Sequence, residues 1–125
     1  MSGGLSAPAT SQVKVFTVSL AQSAGTYDVF SASGGDVFIK RIVPYVDSAA
    51  AGLTSITLQT DDTTSVAILS STLLAALTAG KNLTPFTTPT LLKSGKKGQI
   101  TIVGIGSAGS LKVAVEFYKS NGDLV

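Results

Sequence analysis

"QITIVGIGSAGSLKVAVEFYK", residues 99–119, reads as strand at both ends and as glycine and serine in the middle. Near its end Leu111, Val113, Val115 and Phe117 alternate with Lys112, Ala114, Glu116 and Tyr118. Successive side chains of a strand point to opposite faces, so this run has one apolar face and one wet face. The opening "QITIVGI" (99–105) is β-branched and strand-favouring. Between the two, "GIGSAG" (104–109) spells the G-x-G-x-x-G of dinucleotide sites. Those glycines bind pyrophosphate only where they open a helix after a strand. A period-two run follows here, so the nucleotide reading fails. The glycines are expected to turn the chain between the last two strands, with Gly104 at a bulge.

Similar signals recur upstream. "VKVFTVSL" (13–20) sets Phe16, Val18 and Leu20 against Thr17 and Ser19. "TYDVFSAS" (26–33), "DVFIKRIVPYV" (36–46), "LTSITLQT" (53–60) and "VAIL" (66–69) continue the pattern, and Pro44 argues for an edge or a bulge. "SSTLLAALTAGKN" (70–82) has serine caps, a Leu/Ala middle and a closing Gly80, which predicts one short helix near residues 71–79. "NLTPFTTPTLL" (82–92) is expected to be extended, with Phe86 and Leu91 inward. Strand patterns spaced by turn signals predict an all-β, antiparallel β-sandwich. A jelly roll is the preferred topology and an immunoglobulin-like sandwich the second. Residues 1–11 form a Gly/Ser/Ala/Pro arm without charge or periodicity, and 12–125 a single sandwich domain.

Composition narrows the function. The chain of 125 residues is 44% hydrophobic but only 13% charged, with a net charge of +2. That charge density gives little affinity for a phosphate backbone, so no nucleic-acid partner is expected. A weakly charged surface favours self-association or assembly. No secretory leader or membrane-length apolar run is evident, so synthesis in a cytoplasm and no membrane partner are expected. The sequence has no His, Cys or Trp. A Ser-His-Asp triad, a Cys-His pair and His/Cys zinc sites are therefore excluded.

Carboxylates are the remaining candidates for chemistry. Asp61 and Asp62 sit in "SITLQTDDTTSVAIL" (55–69) between two apolar runs. Neighbouring residues of a strand cannot aim at one substrate, and the spaced ladder of an EF-hand is missing. The pair is read as a hydrated hairpin turn, with calcium at Asp61 and Asp62 as the minor alternative and no other cofactor. "KSGKKGQ" (93–99) is read as a solvated hairpin tip whose Lys96 and Lys97 can meet an acidic neighbour. Tyr45 and Tyr118 are candidates for outward contact, having a large apolar body and a polar tip. With Ser2, Leu5 and Pro8 of the arm, these residues make up the candidate interface. No catalytic, cofactor-binding or metal residue is assigned.

The uncharged "SGGLSAPATSQ" leading into "VKVFTVSL", the Thr-rich 53–69 hairpin and the closing "GSLKVAVEFYKSNGDLV" together resemble the small β-sandwich decoration (cement) proteins of tailed bacteriophages. The resemblance implies a non-enzymatic virion protein, often a homotrimer, that binds the major capsid protein on the outside of the shell. The competing expectation is a carbohydrate- or receptor-binding sandwich of a phage tail or fibre. Its site would be built from loops near Asp36, Tyr45, Asp61 and Asp62.

Overall fold

The computed structural model describes residues 11–62, 64–119 and 122–125. The strands are β1 (Ser11–Ser19), β2 (Gly25–Ser33), β3 (Val37–Thr60), β4 (Ala67–Leu73), β5 (Thr90–Leu92), β6 (Lys97–Tyr118) and β7 (Asp123–Leu124). All pairings are antiparallel. The hydrogen-bonded order is β4-β3-β6-β2-β7, with β1 also on β6 and β5 also on β3. The molecule is an open, all-β antiparallel sheet folded on itself, consistent with a β-sandwich.

Two strands are twice the expected length. β3 and β6 pair along their whole course, from Phe38↔Tyr118 to Thr60↔Gly98. The "GIGSAG" segment is therefore not a turn between two strands but the middle of one strand, a correction to the sequence reading. Its glycines act at a corner. Register slips at Val46/Ser48, Ser48/Ala51, Ala51/Leu53 and Leu53/Ser55, and is regular from Ile42 to Val46 and from Ser55 to Thr60. Gly52, Gly104 and Gly109 there have φ of +84°, +85° and +111°, a region that L side chains rarely adopt. Clustered bulges sharpen the bend and carry both strands from one layer into the other.

The corner divides the pairing into two layers. In the first, β1 lies on residues 110–118, which lie on 37–48, flanked by β5 and bridges from Asn82 and Phe86. In the second, β2 lies on 97–102, which lie on 55–60, flanked by β4. One buried cluster draws from both, including Leu20, Ile42, Ile56, Ile100, Leu111 and Phe117. The Phe16 and Phe30 rings, from β1 and β2, meet with centroids 5.6 Å apart. The C-terminal residues close one end: Leu124 is buried, while Val125 exchanges backbone hydrogen bonds with Ser31.

Other expectations change. The helix near residues 71–79 is absent; β4 continues to Leu73 and only Leu74–Ala76 coil into a 3-10 turn. Leu/Ala propensity is weak against the pairing of Ser55 with Leu73 and Ile56 with Thr72. Leu92, not Leu91, faces the core, a one-residue slip that reverses the face. Pro44 lies inside β3, opposite Val113. Its missing N–H falls between the Ile42 and Val46 amides, which donate to Phe86 and Lys81. The irregular 81–86 segment covers that edge and asks no donor of the proline nitrogen, while Leu83 N–H donates to Pro44 O. "KSGKKGQ" forms a turn joining β5 to β6, not the tip of a hairpin, since both strands pair with β3.

Close packing at two glycines predicts a stability effect. A Cβ at Gly98 would strike the Phe30 ring, and one at Gly106 the backbone carbonyl of Leu20. Gly98→Ala is expected to cost about 1–3 kcal/mol, as overpacking does, and Gly106→Ala at least as much because backbone cannot yield. Urea denaturation of each variant measures this; midpoints equal to that of the parent would contradict it.

Candidate functional site

No cavity is present in the described structure, and no three acids are grouped to hold a metal. Two of the acids singled out in the sequence, Asp36 and Asp61, accept from backbone amides. The β3–β4 tip is the predicted hairpin turn, closed by Thr60, whose Oγ1 accepts the Val66 N–H at 2.9 Å. Asp61 Oδ1 accepts the Lys97 N–H at 2.6 Å. Asp36 Oδ1 accepts the Ser94 N–H at 2.8 Å. These two carboxylates therefore pin the ends of the lysine turn, while Ala32 donates to Lys96 O and accepts from Gly95. Lys97 Nζ lies 3.0 Å from Asp28 Oδ2, and Gln99 donates to Asp28 Oδ1 at 2.9 Å. Lys96 and Lys97 thus belong to a well-braced turn beside the second layer.

The two tyrosines lie elsewhere, together on the outer face of the first layer. Cross-strand rows define that face. Ser11, Tyr118, Phe38 and Leu91 form one row; Val13, Glu116 and Arg41 the next; then Val15, Ala114 and Val43; then Thr17, Lys112 and Tyr45. The Phe38 and Tyr118 rings stack at 6.1 Å, with Lys40 Nζ 5.7 Å above Tyr118. Val13, Val15, Phe38 and Leu91 are exposed by 63%, 53%, 40% and 48%. These values mark an apolar strip along one face, the kind of patch that is covered in assemblies. Ser2, Leu5 and Pro8 lie outside the described residues. The tyrosines thus share one face, at opposite ends of these four rows, and the two lysines lie off it. The strip's valines were legible, because the alternation that buries Phe16 and Val18 turns Val13 and Val15 outward. Phe38 was not singled out, and Leu91 was expected to face inward.

No family model and no curated protein matches the sequence. Solved structures do. One is a chain of the cyanophage Pam1 capsid asymmetric unit, at TM-score 0.60 and 21% identity, with 94% of each chain covered. Another belongs to the acid-stable capsid of Helicobacter pylori bacteriophage KHP30, at TM-score 0.57 and 14% identity, covering 93% of this chain and 98% of that one. The fold is one that phage capsids contain. Coverage is nearly complete in both directions, so these capsid chains are themselves of about this length. No helix among the described residues is long and apolar enough to cross a membrane.

Electrostatics on this scaffold are local. Lys14 Nζ reaches Asp123 Oδ1 at 3.1 Å and Leu124 O at 2.8 Å, tying β1 to the C-terminal strand. That hydrogen bond from Lys14, then the Leu124 N–H, hold Asp123 below its ordinary value of 3.8. Asp28 is lowered by its hydrogen bond from Gln99 first and from Lys97 second. A carboxylate with a lowered folded pKa adds stability above its unfolded pKa and loses it as pH falls through the folded one. Stability should therefore decline on acidification below the ordinary carboxylate range. In Asp28→Asn and Asp123→Asn this part of the decline should be smaller. Denaturation midpoints followed from neutral pH into acid test it; identical slopes for parent and variants would contradict it. Both sites are solvent-exposed, so each effect is modest.

Proposed function

We propose that this protein is a structural component of a bacteriophage virion, a decoration protein that binds the outer surface of the capsid and stabilises it. The observation carrying this reading is the whole-chain likeness to two capsid chains of similar length. The jelly-roll reading of the fold belongs with it. Its support is the order of half-strands: 11–19, 110–118, 37–46 and 80–92 in one layer, and 25–33, 97–105, 53–60 and 67–73 in the other. A non-enzymatic role is favoured by the missing His and Cys and by acids that brace turns.

The partners in this reading are the major capsid protein and further copies of the chain, arranged as the homotrimer that the resemblance implies. The Tyr45–Tyr118 face is the surface offered to them. A patch on the order of 800 Å² per partner makes a specific contact, and many copies on one lattice add by multivalency. Binding the assembled shell but not loose subunits shifts the assembly equilibrium toward the shell.

Adding the purified protein to shells that lack it tests the proposal. The expected result is saturable binding to shells, none to dissociated subunits, and a raised temperature of shell disruption. Phe38→Ala with Tyr118→Ala should weaken binding while leaving the far-UV circular dichroism unchanged. No binding to any shell, or equal binding to loose subunits, would overturn it.

A further inference from the structure

β1 presents the one long, regular open edge of the described structure. It pairs with β6 over nine residues without a register shift, and no described residue pairs with its other side. Natural sheets blunt such edges with proline, bulges, covering segments or charged side chains, inward-pointing ones included. Every other edge here is treated in one of those ways. β2 has a register shift at Asp28/Phe30 and is extended by β7. β4 meets its partner through two shifts and ends in a 3-10 turn. The 82–92 edge carries Pro85 and Pro89 and forms only a three-residue strand. β1 has no proline, and its single charge, Lys14, is drawn away to Asp123 and Leu124.

The free hydrogen-bonding groups can be assigned. Leu20 N–H donates to Gly109 O, its register partner, so even-numbered residues of this strand bond to β6. Ser11, Val13, Val15 and Thr17 therefore direct their N–H and C=O groups to the open side. Ser19 faces the same way, and its carbonyl already accepts from Gln22 Nε2 at 2.6 Å. Those groups are a template for another antiparallel strand.

We propose that the occupant is β1 of a second copy, paired antiparallel about a two-fold axis through Val15. In that register Val15 faces Val15, Val13 faces Thr17 and Ser11 faces Ser19 of the second copy. All are residues whose N–H and C=O groups point outward, so the Val15–Val15 and Val13–Thr17 pairs can exchange both backbone hydrogen bonds. β-branched pairs such as Val–Val and Val–Thr are favourable across strands, and no like charges are opposed. The chain's own first ten residues are a poorer filler, since Gly3, Gly4 and Pro8 disfavour a strand and the proline lacks a donor. The pairing would join the apolar strips of two copies and is compatible with a trimer built through another surface. It rests on edge geometry alone, not on the capsid reading.

The absence of native cysteine makes the register directly testable in the full chain. Paired residues of this kind have Cα atoms about 5.5 Å apart, within disulfide reach. Val15→Cys is expected to form an intermolecular disulfide under mild oxidation. Its rate should exceed that of Ile105→Cys, an exposed control, by roughly tenfold or more, because paired thiols meet at high effective concentration. Val13→Cys and Thr17→Cys should cross-link when mixed and poorly alone. Val13→Lys with Thr17→Lys, carried on Val15→Cys, should abolish the preference, while Val13→Glu with Thr17→Lys should retain it. Deleting residues 2–10 should leave it unchanged. A Val15→Cys rate no higher than the control, loss of cross-linking on the deletion, or equal behaviour of the two charged pairs would overturn the proposal.

Discussion

The ladder between β3 and β6 is the constraint on which the rest of the structure depends. Two strands of 24 and 22 residues stay paired while bending through a corner, and every other strand attaches to one of them or to β2. Because both layers share these strands, neither layer can form without the other. The corner exists because bulges and left-handed glycines gather where the two strands cross between layers. At Gly52 a Cβ would stand 2.5 Å from Ile105 O and 2.8 Å from Ser107 Oγ, so a side chain would push the corner open.

Strand faces were the most legible feature. Alternation at 111–117 correctly turned Leu111, Val113, Val115 and Phe117 inward, and all four are fully buried. The 55–69 hairpin was also readable, because the Thr60 closure of its turn is local, although Asp61 bonds the distant Lys97 amide. What escaped was long-range. Gly104 and Gly109 carry the same local signal whether they turn a chain or bulge a strand. Only the opposing residues 47–54, some fifty positions earlier, decide the matter. The 71–79 segment failed for the same reason: capping serines and a Leu/Ala run favour a helix until β3 offers hydrogen bonds along Ser55 and Ile56.

The candidate surface was half legible. Tyr45 and Tyr118 were chosen for their chemistry and lie on one face because β3 and β6 run side by side there. Lys96 and Lys97 were chosen for their charge, yet Lys97 is ion-paired to Asp28 and the turn is pinned by Asp36 and Asp61. Asp36 and Asp61 clamp backbone amides of that turn. With Asp36, Asp61 and Lys97 committed to one turn and other charges paired across strands, the molecule offers its surroundings a sheet face and a sheet edge. Those are means of contact between proteins, and the proposed virion role would use them.

Electron cryomicroscopy of phage particles carrying this protein tests that account most directly. Density for the folded sheet should appear on the outer surface of the shell, with the Val13–Tyr118 face or the β1 edge at a contact. Density confined to the tail or its fibres, or shells without the chain, would contradict it.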